Sequence, residues 1–346
     1  MQARRIVSSV FSAALLFSAV PASAQWWNLN DHRPPKYWHM DPPLKVPYTH
    51  QVMLDEGYSA NAAFWNGDFA KLDRMYDEML NDGVRATDGT SMIQPFVAVF
   101  ENAGSSPVFD KTMQNWAQVS PDSKLRPLAQ AVRLEGDAWR ARGGAYDSPE
   151  ESMKIFREKL AAATHALQQA EPEGRRSPIW YWVALIVAGS SERPAAQFDA
   201  LFDEAAGRFP YYQPLYYTRA NYLLPQWGGN WAAVDRFVND SVARTSASEG
   251  DAFYAWIYVD VATKVQGDLF ENTLASWPRM KKGFEDMIAR HPDVWNKNLY
   301  ATWACRARDK ETTARLLVEL GKDAHLGAES AGIGTESCRR FAESMS

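Results

Sequence analysis

From about residue 50 to the C-terminus, apolar positions recur every three or four residues, the period of helices buried along one face. Phe69, Leu72, Met75, Tyr76, Met79 and Leu80 form one such stripe, and Asn81-Asp82-Gly83 stops it. Val108, Phe109, Met113, Trp116 and Val119 form a second stripe ahead of Pro121. Leu125, Leu128, Ala129, Val132, Leu134, Ala138 and Trp139 form a third, closed by Gly143-Gly144. A long helix is predicted from Pro149 to Ala170, with Met153, Phe156, Leu160, Ala163 and Leu167 facing inward. Convincing alternation of the strand type is absent, and only Arg85 to Ile93 reads as a short turn or hairpin.

The second half reads as paired helices joined by short turns. Trp180–Val187 precedes a stripe of Phe198, Leu201, Phe202 and Ala205, and Tyr212–Leu224 precedes Val234, Phe237, Val238 and Val242. Val294–Ala304 precedes Ala314, Leu316, Leu317 and Leu320. Pro178, Pro210 and Pro292 stand ahead of three of these pairs. In the last pair, Ala301 and Ala304 supply small residues for a close crossing and Asp309 supplies a turn, as in a tetratricopeptide-type repeat. The predicted fold is all-α, an irregular α-solenoid of antiparallel helix pairs spanning 51–346.

Upstream the pattern changes twice. Arg4 and Arg5, the apolar run Ile6–Val20 and Ala22-Ser23-Ala24 read as an export signal over 1–24, cleaved before Gln25. Residues 25–50 hold Trp26-Trp27, Pro34-Pro35, Pro42-Pro43 and Pro47, which favour an extended arm laid against the domain. Export places the protein in the periplasm or outside the cell, with no lipid anchor because no Cys stands at the cleavage point. In that oxidising setting Cys305 and Cys338 read as a disulfide rather than two buried thiols. The bond would hold a short C-terminal helix over the end of the solenoid.

The formal charge of −5, more acidic once the leader's arginines are removed, argues against nucleic acid or an anionic membrane surface as partner. The 14 Trp and 14 Tyr suit sugar platforms or peptide grooves, but large rings also fill the gaps between helices. His32, His39 and His50 could bind a metal only by converging, which their spacing does not require, so neither a metal nor a cofactor is expected. Zinc-protease, hydrolase-elbow and phosphate-loop motifs are missing, and no catalytic residue is nominated. Asp88 is the first choice for a functional carboxylate, although Asp-Gly is also a common turn.

The binding candidates cluster at one corner. Pro225 ends a helix, Gly228-Gly229 frees the backbone, and Asn230 caps the next helix. A groove there would be lined by Tyr216, Trp227 and Trp231, with Arg219 as its charged contact, but the same rings could simply wedge a structural corner.

Four pieces resemble the bacterial family called domain of unknown function 4034. They are Arg85-x-Thr87-Asp88-Gly89, Ala138-Trp139-x-Ala141-Arg142-Gly143, Tyr212-x-Pro214-Leu215-Tyr216, and Leu223-Leu224-Pro225-x-Trp227-Gly228-Gly229-x-Trp231. The resemblance implies a helical, repeat-like module and carries no activity with it. The expected function is non-catalytic binding of an envelope protein or peptide. The alternative is a carbohydrate-active or carbohydrate-binding α/α barrel, recognisable by closure and by two carboxylates in a Trp-lined cleft.

Overall fold

The computed structural model describes residues 49–82, 84–101, 106–143, 148–171, 173–191, 195–327 and 334–344. The expected leader, and the arm up to residue 48, lie outside these residues. Among the described residues are sixteen α-helices and no strand. The first half holds α1 (His50–Asn66), α2 (Phe69–Asp82), α3 (Gln94–Glu101), α4 (Pro107–Val119), α5 (Leu125–Arg142) and α6 (Glu150–Ala170). Next come α7 (Pro178–Gly189), α8 (Ala195–Arg208), α9 (Gln213–Asn221), α10 (Trp231–Glu249) and α11 (Ala252–Ala262). The chain closes with α12 (Leu269–Asn272), α13 (Trp277–Arg290), α14 (Val294–Arg306), α15 (Lys310–Leu320) and α16 (Thr335–Glu343).

Local chemistry sets the boundaries. Ser106 and Ser177 cap α4 and α7 through their hydroxyls, with Pro107 and Pro178 in the first turn, where a missing N–H costs nothing. Asp293 and Asp309 cap α14 and α15, and Gly143 ends α5 where the pattern breaks. One boundary differs from expectation: the Tyr212–Leu224 helix stops at Asn221, and Pro225–Trp227 forms a separate 3-10 turn. The inward stripes are also shorter at one helix. Phe109, Met113 and Trp116 are buried, but Val108 and Val119, at the two ends of α4, are exposed.

The all-α, solenoid-like fold is built on a central row. α1 packs on α3, α3 on α5, α5 on α7, α7 on α9, α9 on α11, and α11 on α13, which passes to α14. Beside this row, α6, α8 and α10 pack against α5, α7 and both α9 and α11. Central helices are therefore enclosed on several sides, and their sequences show it. Residues 178–188 of α7 and 252–258 of α11 are buried around the whole helix, against the usual one-sided pattern. The aromatic excess fills this interior: Trp116, Trp182, Tyr181, Tyr216, Tyr254, Tyr258 and Tyr300 are all fully buried.

At the C-terminus, Cys305 of α14 and Cys338 of α16 form the expected disulfide, with Cα atoms 5.7 Å apart. α16 lies against α14 and α15 and covers the end of the row. No helix among the described residues is long and apolar enough to cross a membrane.

Candidate functional site

The 84–92 segment is a tight turn with one antiparallel bridge, Arg85 to Ser91, in the place where a turn or hairpin was expected. Gly89 makes the turn possible. Its φ is +91°, and an added Cβ would press on Trp256, Arg85 and His291 at 3.1–3.2 Å. This turn is where distant parts of the chain meet. Arg85 donates to Glu249 at 2.8 Å and to the Gly89 carbonyl at 2.9 Å, and His291 bonds the other Glu249 oxygen at 2.7 Å. Gln213 reaches the Gly89 carbonyl at 3.0 Å and Asn296 the Asp88 carbonyl at 3.0 Å. Burial raises the Glu249 pKa, but the bonds and charges of His291 and Arg85 outweigh it and bring the group down to about 2.

Asp88 itself is spent on structure. It accepts from His50 Nδ1 at 2.6 Å, from the Thr90 amide at 2.9 Å and from the Thr90 hydroxyl at 3.0 Å. Burial pushes its pKa up, and these partners, His50 first, pull it below the ordinary carboxylate range. Asp293 accepts from the Thr87 hydroxyl, the His50 amide at 3.1 Å and the Trp295 amide at 2.8 Å. The His50 ring also stacks on Trp295, centroids 4.2 Å apart and 4° from parallel. The start of α1 is thus joined to the start of α14, and both adjoin the 84–92 turn. Asp88 and Asp293 each accept three hydrogen bonds and so join the turn to both helices. Of the three histidines considered for a metal, His32 and His39 lie outside the described residues and only His50 lies within them. Among the described residues no group of three or more metal-ligating side chains occurs.

The predicted aromatic corner has an inside and an outside. Tyr216 is fully buried, packs on Phe202, Phe237 and Phe253, and donates to the Pro210 carbonyl at 2.9 Å. Arg219 is paired with Asp199 at 2.7 Å and lies over Phe198. Gly228 takes φ +85°, and a Cβ at Gly229 would overlap the Leu223 backbone. Trp227 and Trp231 remain half-buried at the turn. Trp227 meets Trp139 edge-on at 5.7 Å, and the Arg142 guanidinium lies over both rings, 5.0 and 5.2 Å from their centroids. Two of the motif pieces quoted above are therefore in direct contact.

Sequence reasoning missed two features. The first is a groove of about 390 Å³ between α6 and α8, floored by Leu167, Ala184, Val187 and Leu201. Gln168 and Gln197 stand exposed at its rim. One end is closed by Arg175, which holds Glu171 at 2.9 Å and Glu204 at 3.0 Å and covers the Trp180 ring at 4.4 Å. Leu167 and Leu201 had signalled helix faces, but periodicity does not tell a groove wall from a core contact.

The second is a pair of acids, Glu101 at the end of α3 and Glu135 in α5. Burial pushes Glu101 up to about 7. Glu135, only 1% exposed, is pushed well above the carboxylate range by burial first and by the Glu101 charge second. The chain matches no family model, no curated protein and no solved structure.

Proposed function

We propose that this chain is an exported helical-repeat scaffold of the cell envelope, cleaved after Ala24, that binds a protein or peptide segment without catalysing a reaction. The groove between α6 and α8 carries this reading. Its apolar floor gives depth for bulky side chains, and the amides of Gln168 and Gln197 at the rim suit a peptide backbone. Trp227 and Trp231 are a subsidiary contact, shaped by Gly228 and Gly229, with Trp227 backed by Trp139 and Arg142. On its four motif pieces alone, a relationship to the domain of unknown function 4034 family belongs to the same proposal.

Peptides selected from a displayed library on the full mature chain, its N-terminus read as Gln25, test this reading. Ala200→Trp, at an exposed position on α8, should fill the groove and weaken a selected peptide at least about tenfold while leaving the helical spectrum unchanged. Peptides indifferent to Ala200→Trp, or selection that yields none, would count against the groove.

The carbohydrate-active alternative draws on the Glu101–Glu135 pair. It is the weaker reading, because a sugar oxygen must reach the acid and Glu135 is closed off. Release of sugar from an envelope glycan by the purified protein, lost in Glu135→Gln, would reverse the ranking.

A further inference from the structure

The groove between α6 and α8 has two kinds of lining. Leu167, Ala184, Val187 and Leu201 make an apolar floor, and the three charged side chains, Glu171, Arg175 and Glu204, gather at one end. Thr164 and Gln197 mark the other end, about two helical turns, or roughly 10 Å, back along α6 and α8. The charged end is balanced within itself. Arg175 Nε donates to Glu171 at 2.9 Å, and its Nη1 donates to the two Glu204 oxygens at 3.0 and 3.3 Å. Glu204 also accepts from the Tyr181 hydroxyl, which accepts from Arg208 at 2.8 Å. Arg208 donates as well to the Arg175 carbonyl at 3.3 Å. Arg175 thus bridges the end of α6 to α8, and its guanidinium covers the Trp180 ring at 4.4 Å. Trp180 is fixed beneath it by a bond from Nε1 to the Leu167 carbonyl at 3.0 Å.

Every charge that lines the groove is therefore already matched. A charged ligand side chain laid on the floor would leave water without meeting a free counter-charge, whereas an apolar one gains by the same burial. The links themselves are exposed. The side chains of Arg175, Glu171 and Glu204 are 37, 38 and 44% accessible, so their pairing adds little to folding and Arg175 can be changed without losing the fold.

We propose that Arg175 sets the selectivity of this groove: by neutralising Glu171 and Glu204 and closing the end over Trp180, it restricts the ligand to a segment that is uncharged and apolar along the floor. The inference rests on the peptide-binding reading of the groove and names the ligand chemistry within it. Without Arg175 the same end presents two unmatched carboxylates beside an open Trp180 face, a setting that prefers a cation.

The test uses three probes that differ only at one end: 4-phenylbutan-1-ol, 4-phenylbutan-1-amine and 4-phenylbutanoate. Each is titrated into the full mature chain at neutral pH and followed by ligand-observed NMR. On the wild-type chain the alcohol should bind at least about fivefold more tightly than either ion, and Ala200→Trp should weaken it by a similar factor. Arg175→Gln should reverse the order of alcohol and amine and leave the carboxylate weakest. Arg175→Lys, which keeps the charge, should hold the wild-type order. An Arg175 that only braced the fold would shift all three probes together. Equal binding of the alcohol and either ion to the wild type, no saturable alcohol binding by about 10 mM, or an unchanged order in a folded Arg175→Gln would overturn the proposal. The wild-type order decides even where Arg175→Gln does not fold. Displayed peptides that depend on the groove but lay charged residues on its floor would keep the peptide reading and sink this one. An empty selection beside the expected probe order would do the reverse.

Discussion

Glu101 and Glu249 sit in opposite electrostatic settings, and together they shape the pH dependence of stability. Burial lifts Glu101 to about 7, so its stabilising contribution is complete below its unfolded pKa, near 4.5, and is lost as pH rises through 7. Glu249 is held at about 2 despite burial by His291 and Arg85, and Asp309 also reaches about 2, held by Lys281 and Thr312. Their contributions are present above the unfolded carboxylate range and are lost as pH falls toward 2. Urea unfolding should therefore show maximal stability near pH 5, falling toward both pH 3 and pH 8, with Glu101→Gln flattening the alkaline side. A wild-type curve level between pH 5 and pH 8 would contradict this reading. None of this was legible along the chain, because a glutamate's setting depends on which helix ends against it. The same holds for Tyr216 and Arg219. Their side chains suit a groove as well as a core, and only the packing of Phe202, Phe237 and Asp199 around them decides.

Among the elements, the amphipathic helices were the most legible. Phe69 to Met79 and Phe156 to Leu167 show the period, and each lies on its expected buried face. The fully buried α7 and α11 carry no such one-sided pattern, and the two ends of α4 extend past the core, leaving Val108 and Val119 in solvent. α16 was legible through chemistry rather than periodicity. It has nine residues, too few to persist in isolation, and Cys338 is its one fully buried side chain. The bond to Cys305 closes a separation of 33 residues, which on a chain-entropy basis stabilises the fold by about 3–4 kcal/mol. Reduction should release α16 first, seen as new amide exchange over 335–343 and a lower unfolding midpoint. Unchanged exchange there after both thiols are freed would show that packing alone holds the helix.

At the scale of the whole molecule, the start of α1 is tied to the start of α14. His50 at the start of α1 bonds Asp88 and Asp293 and stacks on Trp295, while Gln213, Glu249, His291 and Asn296 converge on the same turn. The sequence showed the turn at Asp88-Gly89 and a string of helix pairs. It did not show that contacts separated by 206 and 243 residues would tie the turn and the first helix to α14. Hydrogen exchange on Asp88→Ala measures this tie most directly. The substitution strips His50 of its acceptor, and loss of one partner from a buried pair costs about 2–4 kcal/mol. The account predicts that the first turns of α1 and α14 lose protection together while α6, α7 and α8 keep theirs. Loss confined to 84–92, with α1 and α14 unchanged, would contradict it.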